Sequence, residues 1–179
     1  MNYFNKLPAL LMAGMLFAGC RHKAAINETD VLHANEEELT KVIIYDVFTP
    51  PVASRIYAYT NLASYEAVRF VNPKYVSLAA QLKGFGPMPQ PQKGKSYDYT
   101  LAATKAFFTV AHNVTFSVDT LQDYEDQIYA MYKNALDDST YARSMAFGDV
   151  PNGFSFEANL TTRAKPYFFW ISSAFRPGS

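Results

Sequence analysis

Cysteine is nearly absent from this chain. Cys20 is the only one in 179 residues, which excludes an internal disulfide framework and any cysteine-built metal cluster. Histidine is almost as scarce: His22, His33 and His112, with none after position 112. That spacing gives no converging set of zinc or catalytic ligands. A glycine-rich phosphate loop is missing, as is a G-x-S-x-G nucleophile turn. An excess of positive charge is missing too. Lys and Arg number 16 against 16 Asp and Glu, so no electrostatic case for nucleic acid exists, since that binding neutralises phosphates with clustered cations. Long apolar runs are lacking as well. The longest, residues 7–19, "LPALLMAGMLFAG", falls short of the roughly 20 residues that a membrane-spanning helix needs. No internal repeat and no strand-like alternation is visible.

What is present begins with that run. One lysine precedes it, and Ala18-Gly19 stands immediately before Cys20, which is the layout of a secretory signal. It resembles the bacterial lipoprotein signal, in which the cysteine becomes the acylated first residue after cleavage. The resemblance implies a signal peptide over 1–19, lipid on Cys20, and attachment to a membrane of the bacterial cell envelope. Phe17 stands where that pattern usually has leucine, and Leu16 is one place further back. The alternative is a secreted protein with one free thiol. Without residues 1–19, which hold one lysine and no acid, the balance is 15 basic to 16 acidic groups, a net charge of −1.

Residues 20–35 are polar and without sustained period, and read as a tether between anchor and domain. From 36 to about 150 the pattern is that of a helical domain, and the fold class is all-α. The first helix is expected over 36–48, with Leu39, Val42, Ile43 and Val47 on one stripe. Pro50-Pro51 closes it and opens a second over 51–71, because proline fits a helix's first turn and not its interior. In this second helix Val52, Ile56, Tyr59, Leu62, Ala63 and Val68 face the core, and Ala53, Ala58, Ala63 and Ala67 permit close helix approach. Residues 72–96 form an irregular connection, broken by Gly84, Gly86, Pro87, Pro89, Pro91 and Gly94, with a short helix at 76–82. A third helix is expected over 97–113, where Leu101, Lys105, Phe108 and His112 are three or four apart. A fourth follows over 118–136, capped by Ser117, with Leu121, Tyr124, Ile128, Met131 and Leu136 as its core stripe. A fifth begins near Ser139-Thr140 and ends before Pro151. Thirteen tyrosines imply packing in which buried hydroxyls find hydrogen-bond partners.

Few residues offer chemistry. Arg55 and Glu66 are eleven apart on the second helix, hence on nearly the same face. They read either as a site or as hydrogen-bonded packing contacts, with Asp46 one partner for Arg55. Asp119, Asp123, Glu125 and Asp126 sit in the first turns of the fourth helix, where the dipole and solvent account for them better than a metal does. No catalytic residue and no metal ligand is assigned from spacing.

The stretch 45–67, "YDVFTPPVASRIYAYTNLASYEA", together with "SLAAQLKG", "PQPQKGK", "TLAATKAFFTVAH" and "YARSMAFGD", resembles the N-terminal half of bacterial proteins in the vanadium-dependent haloperoxidase and type 2 phosphatidic acid phosphatase superfamily. The resemblance covers about 36–149. It implies a larger all-α protein whose later helices hold phosphate or vanadate through Lys-x6-Arg-Pro, Pro-Ser-Gly-His and Ser-Arg-x5-His motifs. One histidine there acts as nucleophile or vanadium ligand, and in haloperoxidases vanadate activates peroxide to oxidise halide. None of these motifs is complete here. Lys165 and Arg176-Pro177 echo the first, but ten residues separate Lys165 from Arg176 where six are expected. Vanadate is therefore implied for full-length relatives and not for this chain. Residues 151–179 carry aromatics, Tyr167-Phe168-Phe169-Trp170 among them, without helical spacing. A shifted reading frame or truncated gene would give that irregular tail, and a diverged ending is the alternative. The reading is a lipid-anchored member of this superfamily whose catalytic half lies elsewhere. The alternatives are a non-catalytic helical lipoprotein that binds a partner or ligand, and an enzyme completed by a separately encoded second half.

Overall fold

The computed structural model describes residues 26–82 and 89–149, and all of its regular structure is helical. The signal segment, Cys20, His22, Gly84, Gly86, Pro87 and the tail with Lys165 and Arg176 lie outside the described residues. Five α-helices follow in order: α1 (Glu28–Tyr45), α2 (Pro50–Val68), α3 (Tyr99–Val114), α4 (Val118–Ala135) and α5 (Asp138–Gly148). Short 3-10 turns stand at Arg69–Val71 and Ala79–Gln81, the second in place of the helix expected at 76–82. No helix among the described residues is long and apolar enough to cross a membrane.

The hub is α3. Alanines 102, 103, 106 and 111 and Phe107 and Phe108 are buried along it, so neighbours approach on most sides. Its principal partner is α2, followed by α5, and α1 and α4 also touch it. Ala63 and Ala67 of α2 share one core cluster with the α3 alanines, joined by Leu39, Val42 and Ile43 of α1 and Leu121 of α4. Of the small residues expected to bring α2 close, Ala63 and Ala67 are buried and Ala58 faces solvent.

The first helix starts eight residues earlier than its pattern suggests, so 28–35 belong to α1 and not to a tether. Asn27 accepts a hydrogen bond from the Thr29 amide (3.2 Å), and Glu28 and Asp30 occupy the first turn, all of which favour a helix N-terminus. Val31 continues the core stripe. What hid this turn is Asn35, a polar residue in a buried place: its Nδ2 donates to Thr104 Oγ1 (3.0 Å) and its Oδ1 accepts from Tyr124 (3.4 Å). His33 accordingly stands exposed on a helix.

At its other end α1 stops at Asp46, before the proline pair. The Phe48 amide donates to Ile43 O (3.2 Å) and the Val47 amide to Ile44 O (3.1 Å), the paired bonds of a Schellman cap. Such a cap wants glycine at the left-handed position, yet Val47 occupies it, with φ of 55°. A β-branched side chain there costs about 1–2 kcal/mol. Val47 is 78% exposed, not part of the core stripe, so removing it sacrifices little packing. Val47→Gly should raise stability by roughly 1 kcal/mol, after allowing for glycine's greater unfolded-state freedom. A urea midpoint that stays put or falls would count against the strain.

Two of the other helices begin with a conventional aspartate cap. Asp98 accepts from the Leu101 amide (2.8 Å) at the start of α3, and burial raises its carboxyl above the usual range. Asp137 caps α5 through the Ser139 and Thr140 amides. Its carboxyl is held well below the usual range, foremost by the Ser139 hydroxyl. Ser117 precedes α4 but makes no capping bond, contrary to expectation; its hydroxyl donates to Asp46 instead.

Candidate functional site

Arg55 and Glu66 share a face of α2 but not a site. Eleven residues separate them by about 16 Å along the axis, and nothing bridges that span: Arg55 is exposed and Glu66 is buried. Glu66 is instead the anchor of the turn after α2. It accepts from Arg69 Nε (3.0 Å), from the Ser77 hydroxyl (3.0 and 3.1 Å) and from the Leu78 amide (2.6 Å). Arg69 in turn lies 4.0 Å over the Phe70 ring, a cation–π contact that fixes the guanidinium. Buried charge survives here because both carboxylate oxygens have donors, three N–H and O–H groups in all.

Asp46 does not reach Arg55 either. Its carboxylate accepts from the Phe116 amide (2.8 Å), the Ser117 amide (3.3 Å) and the Ser117 hydroxyl (2.5 Å). The C-terminus of α1 is thereby stitched to the connection between α3 and α4, and the Phe48 and Phe116 rings meet at 5.0 Å beside it.

The polar cluster with the most chemistry lies between α3 and α4. His112 Nε2 is paired with Glu125 Oε1. The carboxylate is buried at 5% side-chain exposure, and the imidazole reaches solvent at 29%. Glu125 therefore faces inward, not to solvent as its place among the acids of α4 had suggested. The core stripe of α4 is rotated to take it in: Leu121, Glu125 and Tyr132 are buried and Met131 is exposed. One turn further, the Tyr129 hydroxyl is buried near Glu125 without an aligned hydrogen bond. Burial first, and then the Glu125 charge, push its ionisation far up. On α3, the Thr109 hydroxyl has no partner among the described residues, and Lys105 points its ammonium to Asp149 at 3.7 Å. The arrangement can orient an imidazole through a buried carboxylate, with part of the ring still reaching solvent.

The sequence carried one signal for this pair. Residues 115–117 are the whole connection between α3 and α4, and so short a link makes the two helices antiparallel neighbours. His112 lies in the last turns before it and Glu125 in the early turns after it. What disguised the pair is that Glu125 stands among three exposed acids, Asp119, Asp123 and Asp126.

The pair does not suit vanadate. An oxyanion needs convergent cationic or N–H donors, whereas the partner of His112 is itself an anion and Lys105 is engaged with Asp149. A vanadate beside the buried Glu125 would meet like charge. Among the described residues no group of three or more His, Cys, Asp or Glu side chains is placed to hold a metal ion. The Cys20 lipidation expected from the sequence falls outside the described residues.

No family model and no curated protein matches the chain. Among solved structures, the chain is similar to the crystal structure of the first bacterial vanadium-dependent iodoperoxidase, with 34% identity and a TM-score of 0.70. The match covers 79% of this chain and 34% of that one. The helical arrangement described above is thus a haloperoxidase-like fold, and the chain spans about a third of the length of that protein.

Proposed function

We propose that this chain is the N-terminal helical part of a lipid-anchored bacterial protein of the vanadium-dependent haloperoxidase type, with the oxyanion chemistry carried by polypeptide other than residues 26–149. The observation behind this reading is the similarity at 34% identity over 79% of the chain to an iodoperoxidase. That relative favours peroxide-dependent halide oxidation over phosphomonoester hydrolysis as the activity of the whole protein. The donor chemistry around His112 and Glu125 supports the assignment of vanadate to other residues. In this reading α1 to α5 supply a packed support against which the catalytic helices assemble.

Lipid on Cys20 would hold that support close to the bilayer. Helix α1 begins at Glu28, only eight residues after the cysteine, a reach of about 28 Å even when fully extended. Cys20→Ala should therefore move the protein from the membrane fraction to the soluble one and abolish incorporation of labelled fatty acid. A variant that stays membrane-bound would remove the lipid anchor from the proposal.

The activity itself is tested on purified residues 20–179. They should show no vanadate-dependent iodide or bromide oxidation and no phosphatase turnover above a heat-treated control. The DNA that follows the gene should encode Lys-x6-Arg-Pro, Pro-Ser-Gly-His and Ser-Arg-x5-His motifs. Turnover by residues 20–179 that survives repurification would overturn the division of labour. Absence of the motifs downstream would favour a helical lipoprotein that binds a partner without catalysis.

A further inference from the structure

The solvent-facing stripe of α1 changes character at its last turn. Asp30, His33, Glu37 and Lys41 follow one another three or four residues apart on the exposed side of the helix, and the next places on that stripe are Ile44 and Tyr45. These two, at 71% and 76% exposure, and Val47 beyond them are the three most exposed large apolar side chains among the described residues. Bonds gather them at one end of the bundle. The Val47 amide donates to Ile44 O (3.1 Å), Asp46 between them takes the Phe116 and Ser117 amides, and Pro50 and Pro51, exposed too, open α2 directly beyond.

Solvent is a poor explanation for this end. Val47 holds a left-handed backbone, with φ of 55°, and gains no burial in return, and strain of that kind gathers where a site needs the shape it gives. An apolar patch rimmed by polar residues marks a place of protein contact. Arg55 adds a charge: it is exposed one turn after Pro51 and enters none of the ion pairs among the described residues. The iodoperoxidase match points to the occupant. It takes in 79% of this chain and only 34% of that one, so the larger part of that protein lies beyond the shared helices. The bilayer is the poorer candidate, because this end lies about 27 Å along α1 from Glu28, the end of the helix that follows Cys20.

We propose that Ile44, Tyr45, Val47 and the start of α2 form the docking surface for the polypeptide that completes the haloperoxidase-type fold, whose matching surface is apolar and sets a carboxylate opposite Arg55. The proposal rests on the reading that this chain is one part of such a protein. It also gives the strain at Val47 a use: the residue that destabilises the chain alone is the one that the completed fold covers.

The test is photocrosslinking of the full chain in the cell that encodes it, with p-benzoylphenylalanine in place of Tyr45, where an aromatic side chain already stands in solvent. The expected adduct joins residue 45 to a polypeptide carrying the Lys-x6-Arg-Pro, Pro-Ser-Gly-His and Ser-Arg-x5-His motifs, identified by mass spectrometry of the linked peptides. The same probe at His33, on the charged part of the stripe, should give little or none. Adding Val47→Gly should lower the yield at residue 45 by up to about tenfold, the weight of one buried valine side chain, although the same substitution stabilises the chain. Arg55→Glu should lower it too. A yield that neither substitution lowers overturns the proposal. If a motif-bearing polypeptide is encoded but does not link at 45, or links equally at 33, the docking surface is overturned and the reading of the chain as one part of a larger fold stands. If none is encoded, both fall. An adduct to lipid or to a second copy overturns the proposal by naming another occupant.

Discussion

Glu66→Ala is expected to destabilise the fold by about 3–5 kcal/mol, the cost of stripping one partner from a buried ion pair. The side chain of Glu66 has no exposed surface, and that of Arg69 is 12% exposed, so water cannot replace the lost acceptor. The Ser77 hydroxyl and the Leu78 amide lose theirs at the same time. Glu66→Gln keeps the shape and one acceptor oxygen but removes the charge, and should cost about half as much, in the range of about 1–3 kcal/mol for hydrogen bonds to charged groups. Urea unfolding followed by circular dichroism measures both. A loss below about 1 kcal/mol for the alanine variant would show that the turn after α2 holds without its anchor. Limited proteolysis adds a local readout: cleavage should rise first within 71–82, ahead of any change in α3.

The second large effect is expected at Gly148. A Cβ added there would stand 2.2 Å from the Ala102 carbonyl oxygen and 2.8 Å from Lys105 Cβ. The carbonyl belongs to the central helix, which cannot yield without disturbing every neighbour. Gly148→Ala should therefore push α5 away from α3 and cost about 3 kcal/mol, the upper end for overpacking. The sign is informative, since glycine to alanine at an unconstrained helical position gains about 0.5–1 kcal/mol. A neutral or stabilising result in thermal unfolding would mean that α5 does not sit this close to α3. The close approach also explains how Phe147 reaches the Phe70, Tyr97 and Tyr99 rings: the helix end is sunk into the domain.

The all-α class and the positions of five helices were legible because their apolar residues recur at helical spacing and Pro50-Pro51 marks one boundary. The haloperoxidase-like fold was legible through the motif resemblance. Much of what was not legible comes from polar residues whose partners are distant in sequence. Asn35 interrupts the α1 stripe because its amide is satisfied by Thr104 and Tyr124, partners that lie 69 and 89 residues away. Glu125 looks like one more acid on a solvated face because its partner His112 is on another helix. Asp46 was matched to Arg55 by nearness in sequence, whereas its real partners are the amides at 116 and 117. Hydrogen bonds of long sequence separation leave no periodic trace, and so spacing alone cannot assign them. The expectation that buried tyrosines find partners holds for Tyr57, Tyr65 and Tyr124 and fails at Tyr129 and Tyr132, whose hydroxyls are unpaired among the described residues.

The bonds that hold α1 also impose a delay on a chain made from its N-terminus. Asn35 waits for Thr104, and Asp46 for Phe116 and Ser117, separations of 69 to 71 residues. At a synthesis rate of about 5–20 residues per second, α1 is out for roughly 4–14 s before any of these partners exists. During that interval Leu39, Val42 and Ile43 have no α3 to cover them, and a helix in a protein draws most of its stability from such packing. The first described helix can bond early to Tyr57 and Asn61 of α2 but is among the last to have its apolar face covered, and an apolar segment of this kind is what a holding chaperone would meet first.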